Sequence, residues 1–90
     1  MGTTEEHTAQ IRDIVARHGR LPVDPASLGD ADDLFAMGMT SHASVSVMLA
    51  LEEAFDIEFP EPMLRKSTFA SIAAMYDAIA QLAPGIEVPA

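Results

Sequence analysis

Ser41 is the residue whose chemistry most needs explaining, because it stands directly before His42 at the start of an apolar segment. A serine hydroxyl next to an imidazole is typical of a nucleophile with its general base. A serine at this place is also typical of a helix terminus. A third role is attachment, in which the hydroxyl is esterified with another group. Ser41 could therefore be a nucleophile, a helical residue next to a cap, or an attachment point.

Helix geometry argues against a catalytic pair. Consecutive residues lie about 100° apart around a helix, so the side chains of Ser41 and His42 do not face each other. The segment also lacks the G-x-S-x-G pattern of a nucleophile elbow. We therefore predict no catalytic residue in this segment.

Metal binding is not indicated either. The histidines are too widely spaced for an H-x-x-x-H pair: His7, His18 and His42. The acidic segment 24–33 has Ala26 and Leu28 where a calcium loop needs oxygen ligands. The chain contains no cysteine. We predict no metal site.

The elements that position Ser41 begin with a helix predicted over Thr4–His18. Apolar residues recur from Ile11 at the spacing of one helix face. Thr3 and Glu6 have the spacing of a capping box, and Gly19 is a plausible stop.

The segment 19–33 contains two prolines and two glycines and predicts a long loop that lies across the bundle. Asp33 is expected to cap a short turn that Gly38 ends. Thr40 is expected to cap a second helix over Ser41–Phe55.

The remaining segments predict a short helix and a third long helix. Residues 60–66 can form one or two helical turns. Thr68 is expected to cap a last helix that Pro84 and Gly85 end, leaving a flexible tail over 83–90. The fold prediction is all-α: one domain, core about 4–82, forming a small antiparallel four-helix bundle of three longer helices and one short one.

Charge and hydropathy limit the partners. The formal charge is −9, with 14 acidic residues against 5 basic ones. Such a surface repels nucleic acid and favours partners with basic patches. No apolar run is long enough to span a bilayer. We expect a cytoplasmic protein, most simply a monomer, with no nucleic-acid or membrane partner.

The position of Ser41 favours attachment over a purely structural role. Val45 and Leu49 lie about 40° and 80° from Ser41 around the helix, on its exposed side. A helix N-terminus offers free N–H groups and a partial positive charge, which would stabilise a phosphate ester on Ser41.

The ordered motifs of the chain resemble those of acyl carrier proteins and the related peptidyl carrier proteins. The matching motifs are Asp33-Leu34, Gly38-Met39-Thr40-Ser41-His42, Leu51-Glu52-Glu53, Phe55-Asp56, Glu58-Phe59-Pro60 and Thr68-Phe69. The resemblance implies that Ser41 carries 4′-phosphopantetheine, added by a phosphopantetheinyl transferase, and that its thiol holds the cargo as a thioester. It also implies that the carrier itself catalyses nothing.

The segments MLALEEAFDIEFPE, RKS and FASI are similar to small carriers loaded by amino acid:carrier protein ligases, which resemble a seryl-tRNA synthetase core. The resemblance implies an aminoacyl cargo, such a ligase as partner and an unidentified downstream acceptor enzyme. Thr40 and His42 depart from the usual Asp and Leu of the motif, which raises the question of which enzymes recognise them. The predicted partner-binding residues are Thr40, His42, Val45, Leu49, Glu52 and Glu53.

Two other functions stay open at this point. The first is an acyl carrier protein for fatty-acid or polyketide synthesis, in which a long chain would be sequestered by Met48, Phe55, Met63 and Phe69. The second is an unmodified acidic helical module that binds a basic partner. Val45 and Leu49 could instead pack under the loop 19–33. Arg65 and Lys66 could pair with Glu61.

Overall fold

The computed structural model describes residues 4–83, and every regular element in that range is helical. Three α-helices are present, α1 (Thr4–His18), α2 (Ser41–Phe55) and α3 (Ile72–Leu82). They are joined by segments containing three 3₁₀ turns, Pro25–Ser27, Glu61–Met63 and Lys66–Phe69. The all-α prediction is confirmed. Within the predicted short helix, residues 60–66, the structure has the 3₁₀ turn Glu61–Met63, and the next 3₁₀ turn begins at Lys66.

The bounds of α1 agree with the prediction. Glu5 and Glu6 lie in its first turn, and Arg17 and His18 lie in its last turn. Both pairs have the sign that the helix dipole favours at that end. Thr3, the first residue of the predicted capping box, lies outside the described residues.

The bounds of α2 also agree with the prediction, and its predicted cap is confirmed. The Thr40 hydroxyl accepts a hydrogen bond from the Ala43 N–H at 3.0 Å. At the other end Asp56 adopts a left-handed conformation, with φ 53° and ψ 51°, and donates its N–H to the Glu52 carbonyl. This conformation ends the helix in the manner of a C-terminal glycine.

The predicted start of the last helix is wrong. Thr68 lies inside the Lys66–Phe69 turn, and the cap of α3 is Ser71, whose hydroxyl accepts from the Ala74 N–H at 3.0 Å. Pro84 and Gly85, the predicted stop, and the predicted tail from residue 84 on lie outside the described residues.

Tertiary contacts explain why α3 starts late. The Phe69 ring packs edge-to-face on Phe59, with ring centroids 5.2 Å apart, and both side chains are buried. The Ala70 carbonyl accepts the Leu34 N–H at 2.7 Å. A continuous helix from Thr68 would have to satisfy both contacts with straight helical backbone, so the chain turns first and the helix begins at Ile72.

The core lies between the three α-helices, and the long loop covers one side of it. The largest fully buried side chains are Ile11, Val15, Leu34, Val47, Leu51, Ile72, Met75 and Ile79. Leu28 is buried, Leu21 and Val23 pack against the core, and Arg12 of α1 forms an ion pair with Asp30. The predicted course of the loop across the bundle is therefore confirmed.

Hydropathy gives a separate result for membranes. Within residues 4–83 no helix combines the length and the apolar character needed to cross a bilayer. The cytoplasmic location stays a prediction.

Candidate functional site

Ser41 is the first residue of α2 and is exposed. Its hydroxyl forms no hydrogen bond with any residue in the described range. The Ser41 carbonyl accepts a hydrogen bond from the Ser44 hydroxyl at 2.7 Å, so the Ser44 hydroxyl is engaged within the helix turn. Ser41 is thus chemically accessible.

A tight turn over residues 33–38 precedes Ser41. The Asp33 carboxylate accepts the N–H groups of Phe35 and Ala36 at 3.0 and 3.3 Å, which confirms its predicted capping role. Gly38 has a φ of 118°, which an L side chain rarely adopts. A Cβ there would also lie 3.2 Å from Pro22 Cδ, so the backbone conformation favours glycine and the packing leaves little room for a side chain.

The first turn of α2 leaves donors beside Ser41. Thr40 satisfies two N–H groups, that of Ala43 through its hydroxyl and that of Ser44 through its carbonyl. The N–H groups of Ser41 and His42 donate no hydrogen bond to any acceptor in the described part of the chain. With the helix dipole, these donors favour an anion at this point. A phosphodiester on Ser41 fits that requirement.

The site shows no machinery for catalysis by Ser41. His42 is exposed and occupies the next position of the same helical turn, and no hydrogen bond joins the two side chains. In residues 4–83 no group of three His, Asp or Glu side chains is placed to hold a metal ion. The arrangement presents a hydroxyl to a partner's chemistry and supplies no base of its own.

An open cavity of about 380 Å³ lies beside Ser41. It runs between the N-terminal half of α2 and the segment 64–69. Its lining residues are Phe35, Ser41, Ser44, Val45, Met48, Leu64, Arg65, Lys66 and Phe69. Most of these side chains are apolar, so the surface next to Ser41 is a groove with a basic rim.

Comparison with known proteins identifies the family. The family model described as the phosphopantetheine attachment site matches residues 9–79 of this chain. The chain belongs to this family. Its function is that of a carrier domain, its prosthetic group is phosphopantetheine, and as a carrier it catalyses no reaction itself.

Similar proteins include an aminoacyl carrier protein from Agrobacterium fabrum. The two are 47% identical over 79 residues, which cover 88% of this chain and 95% of the relative. A carrier domain of nearly the same length thus shares about half of its residues with this one.

Solved structures give the same picture of the fold. One is a crystal structure of an engineered Bradyrhizobium japonicum glycine:[carrier protein] ligase complexed with carrier protein from Agrobacterium tumefaciens and ATP. The match has a TM-score of 0.81 and 47% identity, over 83% of this chain and 97% of that chain. A solution structure from Agrobacterium tumefaciens matches with a TM-score of 0.67 and 47% identity, over 82% and 89% of the two chains.

The predicted apolar edge of the carrier domain is exposed. Val45 and Leu49 are 50% and 56% exposed, so the alternative that they pack under the loop 19–33 is wrong. Leu64, across the groove, is 49% exposed and was not predicted. Its sequence signal is only a leucine next to two basic residues.

The two predicted acidic partner residues differ in their surroundings. The Glu52 carboxylate accepts the Phe59 N–H at 2.9 Å and is half-buried. Glu53 is exposed. Glu52 therefore has a structural contact within the chain, and a partner role for either residue stays a prediction.

The basic residues of the groove are not paired with Glu61, which removes that alternative. Arg65 donates its Nε–H to the Pro62 carbonyl at 2.9 Å. The Lys66 ammonium lies 4.8 Å from the centroid of the Phe35 ring, a cation–π distance. Neither forms an ion pair with a carboxylate in the described residues.

The set predicted to enclose a long chain is only partly assembled. Met48 and Phe69 line the groove. Phe55 instead lies 6.0 Å from the ring of His7, toward α1, and Met63 packs against the core. Phe35 and Leu64 take their places as lining residues.

Proposed function

We propose that Ser41 is the attachment residue for 4′-phosphopantetheine and that the arm carries a small amino acid as a thioester. Loading is by an amino acid:carrier protein ligase. The cargo and the ligase are supported by the Agrobacterium relative, which is named an aminoacyl carrier protein, and by the matched structure of a carrier protein complexed with a glycine:[carrier protein] ligase.

The observation that supports Ser41 is its accessible hydroxyl beside unpaired N–H donors at the start of a long helix. The other described serines differ from Ser41 in their hydrogen bonds or in their position. Ser27 and Ser44 donate to carbonyl oxygens three residues back, and Ser71 caps α3. Ser46 is half-buried inside α2 and Ser67 lies in a 3₁₀ turn, so neither is at the start of an α-helix. Ser41 is therefore the serine best placed to accept a phosphodiester.

Within this proposal the chain's residues position and display the arm. Thr40 caps the first turn of α2, and the N–H groups of that turn that Thr40 leaves unpaired would hold a phosphodiester on Ser41. Gly38 allows the turn that brings Ser41 to the surface. When attached, the arm supplies the thiol to which cargo is esterified. Val45, Leu49 and the neighbouring His42 form the proposed docking edge for the ligase.

Attachment is tested by coexpression with a phosphopantetheinyl transferase and intact-mass measurement. We expect one arm on the wild-type chain, none on Ser41→Ala and one on Ser44→Ala. Ser44 is the matched control, since it lies one turn away on the same helix. An unmodified wild-type chain, under conditions that modify a control carrier, would overturn the proposal.

The cargo is tested with the purified holo protein, ATP, an amino acid:carrier protein ligase and single amino acids. We expect a mass increase equal to a small aminoacyl group, reversed by hydroxylamine, which cleaves thioesters. Efficient loading only from acyl-CoA-derived groups would refute the aminoacyl assignment while leaving Ser41 in place. To find the downstream acceptor, the carrier loaded with radiolabelled amino acid is added to cell extract, and the molecule that receives the label is identified.

A further inference from the structure

The groove beside Ser41 has the size of a small-molecule site. Its volume of about 380 Å³ falls in the range of roughly 300–1,000 Å³ that is usual for ligand pockets. Ser41 is itself one of the lining residues. Whatever is attached to Ser41 therefore begins at the groove and needs no separate entry path.

The charge of the groove is opposite to that of the protein. The chain has a net charge of −9, yet no lining residue is acidic and two of its five Lys and Arg residues are in the lining, Arg65 and Lys66. Arg12 and Arg17 both form ion pairs, with Asp30 and Asp13. Lys66 instead lies over the Phe35 ring at the groove wall, so its charge is not neutralised by a carboxylate in the described range.

The dimensions suit a flexible chain anchored at Ser41. Met48 lies about 10 Å from Ser41 along α2, at 1.5 Å per residue. A phosphopantetheine arm has about 14 bonds from the serine oxygen to its sulfur, or about 17 Å at the roughly 1.2 Å per bond of extended backbone. An arm laid into the groove would thus pass Val45 and bring its sulfur end to Met48 or beyond.

We propose that this groove binds the unloaded arm of the carrier and rejects an arm that bears an aminoacyl group. The inference rests on the proposed function, since it requires the arm on Ser41. The carrier would then shelter an empty thiol against Val45, Met48 and Leu64 and display a loaded one to the next enzyme.

The discrimination comes from the α-ammonium of the cargo. A free α-amino group has a pKa of about 7.7–8.0, so at about pH 6.5 it is a cation. Transfer of that cation into an apolar groove loses hydration without a compensating anion, because no lining residue is acidic. Lys66 adds repulsion. The neutral thiol of the empty arm meets neither penalty, and the phosphodiester at the other end is attracted by the same basic rim.

The experiment compares four forms of the full chain by methyl NMR at about pH 6.5. They are the apo protein, the holo protein, and proteins carrying a glycyl or a propionyl arm. A phosphopantetheinyl transferase can install each arm from the corresponding CoA thioester, so no ligase is needed. Propionyl matches glycyl in shape, with a methyl group in place of the ammonium. The readouts are the methyl signals of Val45, Met48 and Leu64.

We expect the holo and propionyl arms to shift these methyl signals and the glycyl arm to return them at least halfway to the apo positions. A mass increment with unchanged holo signals would overturn this inference and leave the proposed function standing. Absence of the increment would overturn both. Equal shifts for glycyl and propionyl arms would refute the rejection of the cation.

Lys66→Gln tests the part played by the basic rim. We expect the difference between glycyl and propionyl shifts to shrink in this variant. Arg17→Gln is the matched control, because it removes one exposed positive charge from α1, away from the groove, and should keep the wild-type difference. An unchanged difference in Lys66→Gln would show that Lys66 does not discriminate between the arms and would overturn its role.

Discussion

Glu52→Ala is the substitution that best tests how α2 is joined to the segment after it. The Glu52 carboxylate accepts the N–H of Phe59, seven residues further on, at 2.9 Å. The Phe59 side chain is 4% exposed and packs on Phe69. Removing the carboxylate leaves the Phe59 N–H without its acceptor and loosens the connection that holds this ring in the core.

The expected loss follows from the type of hydrogen bond. A hydrogen bond to a charged group contributes about 1.5–3 kcal/mol net, and the half-buried setting of Glu52 places it at about 1.5 kcal/mol. Removing an acidic residue near a helix C-terminus raises the free energy of unfolding by about 0.3 kcal/mol. The higher helix propensity of alanine raises the free energy of unfolding by roughly a few tenths of a kcal/mol more. The net destabilisation is about 1 kcal/mol, or about 4–8 °C in Tm for a domain of this size.

The assay is urea unfolding and thermal melting followed by circular dichroism. Glu52→Gln keeps an oxygen acceptor and should lose less than half as much stability. Glu53→Ala is the matched control, since Glu53 is the exposed neighbour on the same helix and should stay near wild type. The reasoning fails if Glu52→Ala is as stable as wild type, or if Glu53→Ala loses as much.

Three further substitutions test the turn, the cap and the docking edge. Gly38→Ala should destabilise the fold by about 2 kcal/mol in urea unfolding, because of the positive φ and the contact with Pro22; a wild-type midpoint would contradict this. Asp56→Gly should raise stability by about 0.5 kcal/mol, since glycine relieves the left-handed strain and removes a negative charge at the end of α2; a lower Tm would refute it. Leu49→Gln should slow ligase loading at least several-fold with unchanged stability, whereas Ala54→Gln, also exposed on α2 but about 140° away, should load normally; equal rates would exclude Leu49 from the docking edge.

The limits of α1 and α2 could be predicted because local signals agree there. In α2 the apolar period, the capping Thr40 and the Gly38 turn all indicate the same start, and the structure confirms it. The start of α3 could not be predicted in this way. Thr68 and Ser71 are both good caps, and the choice between them depends on where Phe69 packs, which is a contact with a distant part of the chain.

The site also has a part that local sequence predicts and a part that depends on tertiary contacts. The angles of Ser41, Val45 and Leu49 around one helix place them on the same side of α2, but only the structure shows that the loop 19–33 leaves Val45 and Leu49 exposed. The groove was not predictable, because its other wall is a short segment without helical period. Leu64 and Lys66 reach the groove only through the tertiary position of the residues from 64 to 69. The contact of Glu52 with a loop N–H is hidden from sequence for the same reason.

The two departures from the carrier motif now have a structural meaning. Thr40 keeps the helix cap without placing a negative charge next to Ser41. His42 lies exposed where the motif usually has an apolar anchor. The first turn of α2 has no acidic residue. The negative field of the whole chain can still attract a basic partner over a distance. On the α2 side of Ser41, however, close contact has to be made with the apolar residues Val45 and Leu49 and with a helix start that has no acidic residue. Selection among partner enzymes should therefore depend on the fit to Val45 and Leu49 more than on ion pairs beside the arm.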